Sequence, residues 1–208
     1  MSFDDILSRV RRYYDAKIEM HGATAQGVDW NSTESQQMRF EKLIQVIDRS
    51  SAFTIDDFGC GYGALAKYLE KEAKPIRYVG FDISPRMIAT AMELNTGISW
   101  IHFVNQQSDL PRADYAVASG IFNVKLDTPA AEWESYLTRT LANINSLSRR
   151  GFAVNFLTKY SDPGFMRPDL YYADPLFFFD YCKTNYSRFV TLLHDYPLYE
   201  FTILVRKE

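Results

Sequence analysis

From residue 54 onward, short apolar runs alternate with stretches whose apolar residues recur every three or four positions. A continuous apolar run suits a buried strand and a period near 3.6 suits a helix, so this alternation predicts strand–helix–strand units and a mainly parallel sheet. Strands are expected near 54–58, 77–82, 99–104, 114–119, 151–157, 188–194 and 199–206. The last two are joined through Asp195, Tyr196 and Pro197, a link too short for a crossover helix. They are therefore expected to pair as an antiparallel hairpin at one edge of the sheet.

The helices follow from the same reading. Phe3, Ile6, Leu7, Val10, Tyr14 and Ile18 form one apolar face over the first twenty residues. After the loop "HGATAQGVDWNST", Thr33 and Gln36 have the spacing of a capping box, with Met38, Leu43, Ile44 and Ile47 on the buried side of the helix that follows. Ser84–Pro85 and Asp174–Pro175 pair a capping side chain with a ring that presets the first helical turn. Trp133, Leu137, Leu141, Ile144 and Leu147 mark a long helix, which Gly151 is expected to close after Arg149 and Arg150. At 208 residues and 47% hydrophobic composition, with no linker or repeat, the chain is expected to be one domain. Residues 1–50 would form a helical cover or lid and residues 51–208 the α/β core.

Charge and cysteine usage exclude several classes. A net charge of −3 gives no general reason to bind nucleic acid or an anionic membrane, and Arg9, Arg11 and Arg12 read as the polar face of a helix. The start, "MSFDDILSRVRR", interleaves charges with apolar residues, unlike a signal peptide, and no run approaches the ~18 apolar residues of a membrane span. Cys60 and Cys182 lie far apart without metal or redox spacing, so a reducing cytoplasm is expected and no metal site is predicted.

The chemistry concentrates in "TIDDFGCGYGALAKYLEKEAKPIRYVGFDIS", Thr54 to Ser84. Gly59, Gly61 and Gly63 fall at the end of the first predicted strand, where a sharp turn lets backbone approach a ligand closely. Asp82 falls at the end of the next strand, where a carboxylate can accept hydrogen bonds from both hydroxyls of a ribose. Gly59, Gly61 and Ala64 also satisfy the dinucleotide fingerprint, which keeps an NAD(P)-dependent oxidoreductase as an alternative. Against it stand Asp56 and Asp57 in a strand that such sites make apolar, the G-x-G-x-G turn and the terminal hairpin.

These residues resemble the class I S-adenosylmethionine-dependent methyltransferases. Asp57, two positions before Gly59, matches the acid that introduces the family's first motif, continued by Gly59, Gly61 and Gly63 with Cys60 between the first two, and Asp82 matches the second. The motif resemblance spans Thr54 to Asn123, and the hairpin extends it in topology to the C-terminus. It implies a Rossmann-like sheet of about seven strands with helices on both faces, and S-adenosylmethionine as cofactor. It implies further that the glycine turn faces the methionine and ribose parts, that Asp82 holds the ribose, and that Ile83 and Met87 flank the adenine. After the third strand "VNQQSDL" departs from the family pattern and puts Gln107 and Ser108 at the adenine-contact positions. After the fourth, "ASGIFNV" lacks the motif of base methylation, so Ser119 and Phe122 become candidates to line the cofactor and Asn123 to face the substrate.

The function expected on this basis is in-line transfer of a methyl group to an oxygen, nitrogen or sulfur of a small-molecule acceptor. Arg39 offers a bidentate fit to the cofactor's carboxylate. His21, in the loop between the two cover helices, is the expected general base, with Asn123 as an orienting partner. Tyr171 and Tyr172, before the Asp174 cap, are expected to wall the acceptor pocket, and His102 and His194 to be structural. Cys60 reads as a small space-filling residue rather than a nucleophile. A protein that keeps the cofactor fold without catalysis, using its aromatic segment to bind a partner, is the third reading.

Overall fold

The computed structural model describes residues 2–72 and 75–207. Seven strands form one sheet: β1 (Thr54–Phe58), β2 (Arg77–Phe81), β3 (Ile101–Val104), β4 (Ala113–Ala118), β5 (Ser148–Leu157), β6 (Phe189–Leu193) and β7 (Glu200–Arg206). Their spatial order is β3-β2-β1-β4-β5-β7-β6. The first five are parallel, and β7 runs antiparallel between β5 and β6. This is the Rossmann-like architecture with a terminal hairpin that the alternation of runs predicts. The winding reverses between β1 and β4, which opens a crevice at their carboxyl ends.

Six α-helices cover the sheet. On one face α1 (Phe3–His21), α5 (Ala130–Leu147) and α6 (Pro175–Asn185) pack Val10, Trp133, Leu141 and Phe178 against Phe58, Phe152, Phe156 and Phe201. On the other, α2 (Thr33–Leu43), α3 (Ala64–Glu72) and α4 (Pro85–Leu94) pack Phe40, Leu43, Leu65, Leu69 and Ile88 against Ile55, Tyr78 and Val117. Both faces of β1 and β4 are covered, so neither strand alternates buried with exposed positions, even where Asp56 and Asp57 interrupt the apolar run of β1. No helix among the described residues is long and apolar enough to cross a membrane.

Three local expectations are corrected. The capping box of α2 is made by Ser32 and Ser35, one residue ahead of Thr33 and Gln36, because Ser32 has the extended backbone a cap requires. Gln36 is then free to turn inward. Helix α5 ends at Leu147 without a glycine, and Arg149, Arg150 and Gly151 already belong to β5. A Cβ on Gly151 would lie 2.5 Å from the Val205 carbonyl, so that glycine serves close strand approach. Met38 does not share the buried face assigned to it and is only partly covered.

Candidate active site

Strand β1 ends at Phe58 and the chain reverses through Gly59, whose φ is +74°. A side chain there would be strained, and its Cβ would fall inside Ile121. The Gly59 and Cys60 amides both donate to the Phe81 carbonyl, at 2.7 and 3.0 Å, and the Gly61 amide donates to Asp82 Oδ2 at 3.0 Å. The turn thus spends these amides on the end of β2, fixing Asp82, instead of presenting them to a ligand as the glycine spacing suggests. Asp82 Oδ1 accepts the Ser84 amide at 2.8 Å, and each carboxylate oxygen keeps a lone pair.

Burial raises the Asp82 pKa to about 6, against the lowering effect of the Ser84 and Gly61 amides. Asp57, reached by the Tyr78 hydroxyl at 2.7 Å, is likewise raised by burial, to about 7. Both carboxylates can therefore ionise near neutrality when a cationic ligand arrives.

A cleft of about 410 Å³ opens over this turn. Asp57, Gly59, Cys60, Gly61, Asp82, Ile83, Met87, Gln107 and Ser119 line it, together with Arg11, Tyr62 and Asn105, which the sequence did not single out. Ser119 Oγ is buried there without a hydrogen-bond partner among the described residues. A long polar ligand with a diol at Asp82 and a cationic group near Asp57 fits these groups. Gly63 lies behind the wall, where a Cβ would meet Phe103 at 2.9 Å and Asn95 at 3.0 Å. Two further candidates turn away from the cleft. Phe122 is fully buried, its ring stacked on Phe156 at 4.9 Å. Ser108 is exposed beyond Gln107 because β3 stops at Val104, which gives the strand-end positions to residues 105–107.

Beside it lies a second cavity, of about 790 Å³. Tyr14, Val28, Trp30 and Gly120 line both. Gly120, at φ +79°, leaves the space that the Trp30 indole fills. Below that wall runs a polar relay. The Gly120 amide donates to Asn155 Oδ1 at 2.9 Å, Asn155 Nδ2 donates to Glu200 Oε2 at 2.6 Å, and Arg39 Nε and Nη2 donate to Glu200. The Arg39 guanidinium stacks over Trp30 at 3.8 Å. Arg39 is therefore committed to Glu200 and the second cavity and does not line the first cleft. The isolated acid in "LYEFTILV" and the isolated amide in "FAVNFL" were the available signals, since a lone polar side chain inside an apolar strand needs a partner.

Asn123 and Tyr172 line the second cavity; Asn123 Oδ1 accepts the Leu157 amide at 3.1 Å. Tyr171 is buried and donates to Glu134 at 2.8 Å. His21 is exposed at the last position of α1 and lines neither cavity, because the chain turns away at Gly22. The carboxylate facing the second cavity from this segment is Asp29, held by Tyr13 at 2.8 Å and Lys17 at 2.6 Å. His102 and His194 are both exposed, away from the site. Among the described residues no cluster of metal-ligating side chains occurs.

Residues 57–151 match a family model described as a methyltransferase domain. The chain is 49% identical over 164 residues to the Mycobacterium tuberculosis protein named "Putative methyltransferase Rv1506c", covering 79% of this chain and 99% of that one. In fold it is similar to magnesium protoporphyrin IX methyltransferase of Synechocystis PCC 6803 with bound S-adenosylmethionine, at TM-score 0.66 and 15% identity, covering 100% of this chain and 98% of that one. It is also similar to the N-methyltransferase NodS of Bradyrhizobium japonicum WM9 in complex with S-adenosylhomocysteine, at TM-score 0.64 and 12% identity, covering 95% and 97%. With the glycine turn, the strand-end Asp82 and the sheet order already in place, the chain belongs to the class I S-adenosylmethionine-dependent methyltransferases.

Proposed function

We propose that the chain methylates an oxygen, nitrogen or sulfur of a small molecule held in the second cavity, across the wall it shares with the cofactor cleft. The observation that carries this reading is the four-residue partition of Tyr14, Val28, Trp30 and Gly120 above the carboxyl ends of β1 and β4. Asp82 would hold the ribose hydroxyls, Ile83, Met87 and Gln107 the adenine, and Gly59 and Ser119 the methionyl part. S-adenosylmethionine bound there supplies a methyl group already activated by its sulfonium. The protein's task is then alignment and exclusion of water.

Tyr14 sits at the junction with a hydroxyl that makes no hydrogen bond to the described residues, and burial pushes its pKa well above the ordinary value. It acts as a neutral orienting group. Asn123 orients the acceptor from the far side, and Asp29 replaces His21 as proton acceptor where the acceptor loses a proton. Residues 1–50 supply α1, the short 3-10 turn at Gln26–Val28 and α2, and so serve as the cover of both cavities within one domain. The two free, buried cysteines suit a reducing cytoplasm.

The test is twofold. S-adenosylhomocysteine should raise the melting temperature as it saturates, and NAD should not. Asp29→Asn keeps a residue type that tolerates the left-handed backbone at this position, φ +62°. It should lower turnover with an identified acceptor and leave S-adenosylhomocysteine affinity unchanged; unaltered turnover would remove Asp29 from the reaction.

A further inference from the structure

The second cavity is rich in charge that is mostly paired, although Arg39 Nη1 is buried, closed to solvent, without a hydrogen-bond partner among the described residues. Four charged side chains line it, and each already faces a protein partner. Arg39 is paired with Glu200, Asp29 with Lys17 at 2.6 Å, and Arg167 with Asp169 at 2.5 Å. An ionic ligand would have to compete with one of these pairs; Arg39 and Glu200, the pair beneath the shared wall, are only 6% and 1% exposed, whereas Arg167 and Asp169 at the rim are 48% and 33% exposed. Stripping one partner from a buried pair leaves a charge without water or counterion, which is costlier than the pair is worth.

The remaining uncommitted polar groups are of another kind. Tyr14 Oη, Trp30 Nε1, the Asn31 amide and Asn123 Nδ2 make no hydrogen bond among the described residues, and all four are neutral. Together they offer donors and acceptors that a hydroxyl, itself both donor and acceptor, can satisfy. Around them stand the aromatic faces of Phe165, Tyr172 and Tyr199, the first and last with ring centroids 5.7 Å apart. Such faces suit the apolar surface of a ring.

Resting on the methyl-transfer reading, we infer that the acceptor is an uncharged, hydroxyl-bearing ring molecule, a neutral sugar or a phenol, methylated on oxygen. In the transfer the acceptor oxygen bonds to the methyl carbon while the carbon–sulfur bond breaks and its electron pair stays on sulfur. The hydroxyl proton passes to the Asp29 carboxylate, whose oxygens each accept one hydrogen bond, from Tyr13 or Lys17, and keep a further lone pair, and S-adenosylhomocysteine leaves.

The experiment is calorimetric titration of the full chain, first with S-adenosylhomocysteine and then, on the saturated protein, with matched probes. Methyl β-glucopyranoside and phenol are the neutral arms; glucuronate, glucosamine and benzoate are their charged counterparts. At least one neutral probe should bind, with its charged counterparts weaker by about tenfold or more. The arm that binds separates sugar from phenol. A charged probe binding as tightly as its neutral counterpart overturns the inference. So does the failure of both neutral probes up to about 50 mM, a range that covers the weak binding of small fragments. Loss of S-adenosylhomocysteine binding would instead overturn the methyltransferase reading, so the two failures are told apart. Asn31→Asp, at an exposed position, adds an unpaired anion to the cavity and should strengthen glucosamine relative to methyl β-glucopyranoside by about tenfold. An unchanged ranking would overturn the placing of the acceptor in this cavity.

Discussion

At the scale of single residues, the site is governed by carboxylates that burial holds near neutrality. On the proposed reading Asp82 holds the ribose hydroxyls, which a carboxylate does best when ionised, and burial raises its pKa to about 6. Affinity for S-adenosylhomocysteine should therefore be flat above about pH 8 and fall as protons return to Asp57 near 7 and to Asp82 near 6, by up to about tenfold per unit for each group, with proton release on binding across that range. Calorimetry in buffers of different ionisation enthalpy reads both. Asp82→Asn should weaken binding by ~1.5–3 kcal/mol in a folded protein and flatten the profile. Asp56 makes the opposite case: it is fully buried on β1, and neither of its oxygens has a partner among the described residues. Burial raises it from 3.8 to about 7, against the attraction of Arg77 and Arg149, so the folded state holds a proton that the unfolded chain releases near 3.8. Its contribution to stability must fall as pH rises from about 4 to about 7. Asp56→Asn should be near neutral at pH 4 and stabilising by ~2–4 kcal/mol at pH 8, read from denaturant midpoints; equal effects at both pH values would contradict this assignment.

Between elements, the decisive contact is the loop from α1 to α2 against the turns after β1 and β4. Val28 packs on Gly61, where an added Cβ would lie 2.8 Å from its Cγ1, and Trp30 fills the space at Gly120. Gly120→Ala would force a left-handed alanine into the Trp30 ring. It should destabilise the fold by ~1–3 kcal/mol and shift the Trp30 fluorescence as the indole leaves Arg39. We expect amides 22–31 to exchange readily in the free protein and to slow when S-adenosylhomocysteine is bound; equal protection in both states would leave the segment a fixed cover. Strands and most helices were legible in the sequence because burial on both faces writes itself as continuous apolar runs. The glycine turn was legible because φ and close approach restrict it to glycine. The acceptor side was not, since Trp30, Arg39, Asn155 and Glu200 meet only in three dimensions. His21 was misplaced because loop membership says nothing about which way a helix end faces.

For the molecule as a whole, Arg39 and Glu200 connect the helical cover to the antiparallel end of the sheet. Removing one charge by Glu200→Ala should cost ~3–5 kcal/mol, whereas Arg39→Met with Glu200→Leu should recover part of it, because the apolar pair carries no charge to desolvate while the buried Asn155 Nδ2 still loses its acceptor. Thermal and denaturant unfolding of the single and double variants reads the difference. If the single and double variants were equally destabilised, packing rather than the bare charge would be responsible.

That ion pair joins residues 161 positions apart. A ribosome delivers them in order, so the glycine turn, Asp82 and the Trp30 loop all emerge long before Glu200 closes the relay. A nascent chain arrested before residue 200 would carry the determinants of cofactor recognition while its Arg39 still lacked an anion and its Trp30 a fixed seat. On the proposed placing of the two ligands, competence to hold the cofactor should thus precede competence to hold the acceptor during synthesis.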